Sequence, residues 1–357
     1  MQLPTAEHLL DLARAAFGPA TTIVRVDDLA GDASTRRYVR LQLAGPLTPP
    51  TAVVMILADR AVAMSSDELA SLPADLQELP YVNLHHFLAT IGTPIPQIYC
   101  DRSATGLLLL EDVGDTTLWD VVREAPADEV FAWYDRAIAV LVRLQVDGTR
   151  AADPRCIAFH QAFDRRLLRW ELDHFLEWGI EAHRDTPLPA DDAASLRQYF
   201  DAIADELAAQ PRVLNHRDFH SWNLHVHEGK IRVIDFQDAL LAPIPYDLAT
   251  LLGDRDTTLV VRPEIEDRLL TAYREHWQAA GGDALELTSF RRVYDLCALQ
   301  KALKVVGRFH FLQLEKGKAG YLRYLPSTIR QVRRVAARLS DMAPLLAVLE
   351  RYLPAAD

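Results

Sequence analysis

Residues 213–238, VLNHRDFHSWNLHVHEGKIRVIDFQD, collect the side chains of this sequence whose types and spacing could do chemistry. Asp218 is a carboxylate able to take a proton from an attacking hydroxyl. Asn223 and Asp235, on either side of a short alternating segment, are hard oxygen donors of the kind that Mg²⁺ prefers. A base accompanied by two cation ligands suits phosphoryl transfer, whose loose transition state spreads negative charge and leaves the protein to position and neutralise.

His216-Arg217-Asp218 with Asn223 reproduces the HRDxxxxN spacing of a kinase catalytic loop, and Asp235-Phe236-Gln237 stands where such enzymes carry Asp-Phe-Gly. Residues 230–236 alternate polar and apolar after a turn at His227-Glu228-Gly229, so the stretch reads as loop, strand, turn and second strand. Asn223 then opens the first strand and Asp235 closes the second, near enough to share one cation.

The preceding elements would hold a nucleotide. Residues 5–17 have the spacing of an amphipathic helix, and 21–26 and 38–43 alternate as half-buried strands. Their link, Gly31-Asp32-Ala33-Ser34-Thr35-Arg36-Arg37, sits where a kinase folds a hairpin over the ATP phosphates. Ser34 and Thr35 with backbone N–H groups could cradle an anion there, or the link could be a plain hairpin. The third strand, 52–57, is apolar and carries Met55 where protein kinases place a phosphate-binding lysine; no lysine precedes Lys230. Arg36, Arg37 or Arg60 could supply the missing charge, since guanidinium binds phosphate bidentately. A helix over 76–91, stopped by Gly92 and Pro94, leads to strands at 95–100 and 106–110. The second runs into Glu111-Asp112-Val113-Gly114, which looks like an interlobe hinge whose backbone would meet adenine.

Beyond the hinge the period is helical at 116–123, 128–146, 159–178 and 191–209, and after the catalytic hairpin at 246–252, 263–280, 289–314, 321–339 and 344–353. This predicts an α+β chain with a small antiparallel-sheet lobe over 1–112, binding nucleotide, and a larger, mainly helical catalytic and substrate lobe over 113–357.

Composition sets limits. The chain has 357 residues, half of them hydrophobic, and a formal charge of -12, which argues against nucleic acid as the partner. No stretch approaches a membrane span, and three widely spaced cysteines, Cys100, Cys156 and Cys297, fit a reducing cytoplasm. Residues 290–338 hold twelve Lys or Arg against Asp295 and Glu315, a local +10 that leaves -22 elsewhere. Such a segment reads either as a solvated helix face or as a rim attracting an anionic ligand.

The run HRDFHSWN, followed by VIDFQDALLAPIPYDLATLLGDRD, resembles the aminoglycoside phosphotransferase and choline kinase group. Within it the chain is most similar to the bacterial anomeric N-acetylmuramate/N-acetylglucosamine kinases. Gly31-Asp32-Ala33-Ser34, Val53-Val54-Met55, residues 108–114, 300–305 and 320–322 all look like segments of those enzymes, whose third strand also lacks the lysine. The resemblance implies a two-lobed, protein-kinase-like fold and transfer of the γ-phosphate of ATP to the C1 hydroxyl of an N-acetylated hexosamine in cell-wall recycling. Asp218 would be the base, with Asn223 and Asp235 as Mg²⁺ ligands. ATP contacts would fall on Ser34, Thr35, Arg36, Arg37, Glu111 and Val113, and sugar contacts on His220, Asp238, Tyr246, Lys301 and Lys304. Lys301-Ala302 departs from the family's basic residue followed by histidine. The expected partners are ATP and a small sugar, with no nucleic acid and no membrane, for a cytoplasmic monomer. A kinase of an aminoglycoside, choline or another amino alcohol shares the catalytic loop, as would a nucleotide-binding relative without turnover.

Overall fold

The computed structural model of this protein describes residues 4–29, 36–57 and 78–354. They form two compact units: the described residues up to Thr116 with His225–Gln237, and Thr117–Leu224 with the chain from Asp238 onward. The first of these units ends its leading segment at Thr116, where the sequence put a boundary after residue 112, and half of residues 213–238, His225–Gln237, counts with it.

That unit is built on five strands, β1 (Thr22–Leu29), β2 (Arg37–Ala44), β3 (Thr51–Ile56), β4 (Ile98–Arg102) and β5 (Leu107–Glu111). They run in the order β1-β2-β3-β5-β4, each neighbour antiparallel. The alternation read in β2 buries Val39, Leu41 and Leu43 against Leu9, Leu12 and Ala13 of helix α1 (Ala6–Phe17), which begins at a capping box on Thr5. Central β3 buries Val54, Met55 and Ile56 together, which is why its sequence is apolar throughout. The strand expected at 95–100 starts only at Ile98: Pro94 and Pro96 offer no N–H to a ladder. Helix α2 (Pro80–Thr90) precedes β4; the expected start at residue 76 lies outside the described residues.

The second unit is helical around one small pair of strands. Its main helices are α3 (Ala127–Arg150), α4 (Arg165–His174), α5 (Ala190–Ala208), α6 (Tyr246–Gly253), α7 (Pro263–Ala279), α8 (Leu287–Leu314) and α9 (Leu325–Ala336). The helix read over 159–178 is interrupted: Asp164 caps α4 afresh, and α4 runs on into a π-helical segment, Phe175–Ala182, which packs against α8 at Gly307. The predicted start of α9 at 321 moves to Leu325, after a 3₁₀ turn. Strands Arg212–Asn215 and Leu240–Pro243 pair antiparallel on either side of the catalytic segment and were not foreseen, being four residues each. Among the described residues no helix is long and apolar enough to cross a membrane.

Candidate active site

In the helical unit the strand Arg212–Asn215 delivers the chain into the catalytic loop. Arg217 then takes a left-handed backbone, φ 79°, a conformation that costs a non-glycine residue about 1–3 kcal/mol and persists only where its surroundings dictate it. Here the fully buried Asp247, at the start of α6, accepts the backbone N–H groups of both His216 (2.5 Å) and Arg217 (2.9 Å). The Asp247 N–H in turn reaches Asn215 Oδ1 at 3.2 Å. Burial pushes the Asp247 carboxyl up to about 7, against the pull of those donors and of Lys301. The Arg217 side chain points the other way, toward Glu171 of α4 at 3.4 Å. Glu171, wholly buried, also accepts from Gln300 Nε2 at 2.7 Å and lies 3.6 Å from Lys304 Nζ.

The turn so fixed presents Asp218. Its side chain is 37% exposed, while Lys301 Nζ, 6% exposed, donates to its Oδ1 at 2.7 Å and to the Arg217 carbonyl at 3.1 Å. Burial would raise the Asp218 carboxyl, but Lys301, then Lys304 and Arg217, hold it well below the ordinary carboxylate range. Oδ1 is thus committed to the protein, and Oδ2 is the oxygen left to meet a substrate proton. Asn223 donates Nδ2 to the Asp218 carbonyl at 3.0 Å, which leaves its amide oxygen out of that bond. His220 is buried, its Nδ1 meets no partner among the described residues, and burial followed by Arg255 lowers its pKa to about 4.

In the sheet unit, Asp235 follows the hairpin of Leu224–His227 and Lys230–Val233. The strand expected to reach Phe236 ends at Val233, because Asp235 adopts φ 64° and Phe236–Asp238 is a 3₁₀ turn. Phe236 is fully buried against Tyr81 of α2, ring centroids 4.7 Å apart, which anchors the turn and leaves the Asp235 carboxylate exposed. Gln237 Nε2 donates to Asp235 Oδ1 at 2.9 Å, and Arg36 Nη1 lies 3.5 Å from the same oxygen. Among the arginines named as stand-ins for the lysine, Arg36 therefore faces the candidate metal ligand, whereas Arg37 faces exposed Asp28 at 3.4 Å. Arg60, Ser34 and Thr35 lie outside the described residues. At the hinge, Glu111 is ion-paired with Arg232 and Val113 is buried.

The oxygens on offer suit Mg²⁺, which keeps several waters and takes only one or two protein carboxylates alongside phosphate. Asn223 has its amide nitrogen tied back and Asp235 keeps an exposed carboxylate. Among the described residues no group of three or more His, Cys, Asp or Glu could hold a metal.

Of the expected sugar contacts, Tyr246 is fully buried, packed on Phe163 at 4.5 Å, with Lys301 Nζ 5.6 Å above its ring. Lys301 and Lys304 both face protein carboxylates, and Asp238 is half-buried at the end of its turn. Part of the basic surplus of 290–338 is paired within the protein: Arg292 with Glu206 and Asp341, and Arg334 and Arg338 with buried Glu266. Sequence reasoning missed Arg40, which forks onto both Asp112 (2.6 Å) and Asp115 (2.7 Å) below the hinge. It also missed Glu171 and Asp247. The only signal for the last was its place beside Tyr246 in the YDLA run.

The family model described as the phosphotransferase enzyme family (APH) matches residues 26–288. The chain is 30% identical over 320 residues to the N-acetylmuramate/N-acetylglucosamine kinase of Pseudomonas aeruginosa, covering 88% of this chain and 85% of that one. It is 31% identical over 346 residues to the enzyme of the same name from Pseudomonas putida, covering 95% and 91%. The choline kinase of Cryptosporidium parvum superposes with a TM-score of 0.60 at 12% identity, covering 96% of this chain and 98% of that one, a likeness of fold alone. With a catalytic loop ordered around Asp218 and a family match over most of its length, the chain belongs to the phosphotransferase enzyme family.

Proposed function

We propose that this protein transfers the γ-phosphoryl group of ATP to the C1 hydroxyl of N-acetylmuramate, N-acetylglucosamine or both, in the reuse of cell-wall sugars. The observation that carries the reading is Asp218, a partly exposed carboxylate on an otherwise buried loop, one oxygen held by Lys301 and the other open. Oδ2 accepts the proton of the acceptor hydroxyl as the new O–P bond forms, and Lys301 keeps the carboxylate oriented through the transfer. Asn223 and Asp235 would hold Mg²⁺, which when bound neutralises charge on the phosphate oxygens. Arg36 takes the part of the missing lysine.

The names of the sugar-kinase relatives support an amino sugar as acceptor. Charge supports it too. Lys301, Lys304, Arg217 and Arg255 surround the loop and offset its carboxylates, which disfavours a cationic amino alcohol or aminoglycoside and suits a neutral or anionic sugar. Three free cysteines agree with a reducing compartment, and we place the enzyme in the cytoplasm as a monomer. The test is ATP consumption across a panel of sugars and amino alcohols, followed by phosphorus NMR. An anomeric phosphate and loss of reducing-sugar behaviour are expected. ATP turnover on an amino alcohol or aminoglycoside alone would overturn the assignment.

A further inference from the structure

Between α6 and α8 the helical unit contains a pocket lined by Ala249, Gly253, Asp254, Arg255, Ala298, Lys301, Ala302, Val305 and Thr328. Its walls are small and mostly apolar, and its free space is that of a single methyl-sized group. Lys301 is shared between this pocket and the catalytic base: the side chain lines the one, and its Nζ sits 2.7 Å from Oδ1 of the other. On the rim, Asp254 is 6% exposed. Its Oδ2 lies 3.4 Å from Arg255 Nε but accepts no hydrogen bond from the described residues. A buried carboxylate oxygen without a donor is costly unless a ligand supplies one.

We propose that this pocket receives the acetyl methyl of the acceptor's 2-acetamido group, with Asp254 Oδ2 accepting the amide N–H, so that the pocket selects N-acetylated sugars. The proposal rests on the amino-sugar reading above and deepens it. In a 2-acetamido sugar the nitrogen is on the carbon next to C1. With the C1 hydroxyl at Asp218, the acetamide therefore lies beside that hydroxyl, on the scale of the one side chain, Lys301, that spans base and pocket. The alanines at 249, 298 and 302 leave room for a methyl; any larger residue there would fill it. A sugar with a bare hydroxyl at C2 would leave the pocket empty, and a longer acyl chain would not fit.

The unmodified enzyme tests this first, by comparing N-acetylglucosamine, its N-propionyl analogue and glucose. One methylene gained or lost in an apolar pocket is worth roughly 10–200-fold, so kcat/KM should fall at least about tenfold for both alternatives. Ala302→Leu is the second arm: it should raise KM for N-acetylglucosamine by at least about tenfold, narrow its advantage over glucose, and leave KM for ATP unchanged. Equal kcat/KM for the three sugars would overturn the pocket alone, marking it as a place for a water, while the sugar-kinase reading stood. Turnover of none of them, nor of N-acetylmuramate, would overturn both.

Discussion

Replacing Lys301 with methionine removes the ammonium while keeping an unbranched stem over the Tyr246 ring. Two hydrogen bonds are lost, 2.7 Å to Asp218 Oδ1 and 3.1 Å to the Arg217 carbonyl. A hydrogen bond to a charged group is worth about 1.5–3 kcal/mol. Each 1.4 kcal/mol or so is tenfold in rate, so kcat should fall roughly 10- to 150-fold if the hold on Asp218 persists in the transition state. Stability should fall as well, by about 1–3 kcal/mol, because Lys301 is buried and its removal takes a donor from the Arg217 carbonyl. KM for ATP should stay near wild type, and Lys301→Arg should recover part of kcat, restoring charge without the single-point contact. ADP release with N-acetylglucosamine gives the kinetics, and a thermal melt controls for folding. A kcat within twofold of wild type, with KM raised for N-acetylmuramate only, would refute the reasoning: the ammonium would then serve the lactyl carboxylate.

Asp218→Asn should abolish transfer while the melting temperature stays close to wild type, checked by single-turnover phosphorylation; turnover within a few-fold of wild type would remove the base. Arg36→Ala should weaken ATP by about 1.5–3 kcal/mol in equilibrium binding, the worth of a charge-assisted contact, whereas Arg37→Ala should leave it unchanged. Gly307→Ala should lower the melting temperature by a few degrees: the new Cβ would lie 2.8 Å from Phe175 Cα and 2.9 Å from the His174 carbonyl. Overpacking against backbone costs about 1–3 kcal/mol and outweighs the helix-propensity gain of up to about 1. His310, buried with its ring tilted against that of His183 at 4.0 Å, has a folded pKa lowered to about 4 by burial and then by His183. A lowered imidazole pKa contributes stability that is full above about 6.5 and lost as pH falls toward 4. His310→Phe should therefore gain roughly 3 kcal/mol on wild type between pH 7 and 4 in denaturant unfolding; parallel pH profiles would rule this out.

The sheet was legible because its strands are amphipathic or wholly buried: alternation in β2 and the apolar run of β3 each correspond to a face that must be covered. The long helices were legible from their period, as α3 and α5 show. What escaped has physical reasons. The strands Arg212–Asn215 and Leu240–Pro243 are too short for a period to register, and they matter because they set the catalytic loop's entry. The π-helical turn at Phe175–Ala182 has no composition of its own; it is imposed where the backbone of α4's extension meets Gly307 of α8.

The site divides in the same way. Asp218, Asn223 and Asp235 could be picked out because the motif that carries them is local in the sequence. Lys301, Glu171 and Asp247 hold that loop from three separate helices, and nothing in a one-dimensional pattern says which distant charge meets which. The basic surplus of 290–338 illustrates the point: counted along the chain it looks like an anion-binding rim. In the fold, Arg292, Arg334 and Arg338 are taken up by Glu206, Asp341 and Glu266, and Lys301 by Asp218 itself. Of that segment's charge, Lys301 and Lys304 act on Asp218, holding its carboxyl low. In the pocket proposed above, selectivity for the acceptor falls instead to groups that carry no charge or accept no hydrogen bond from the described residues: the alanines of α8 and the buried Oδ2 of Asp254.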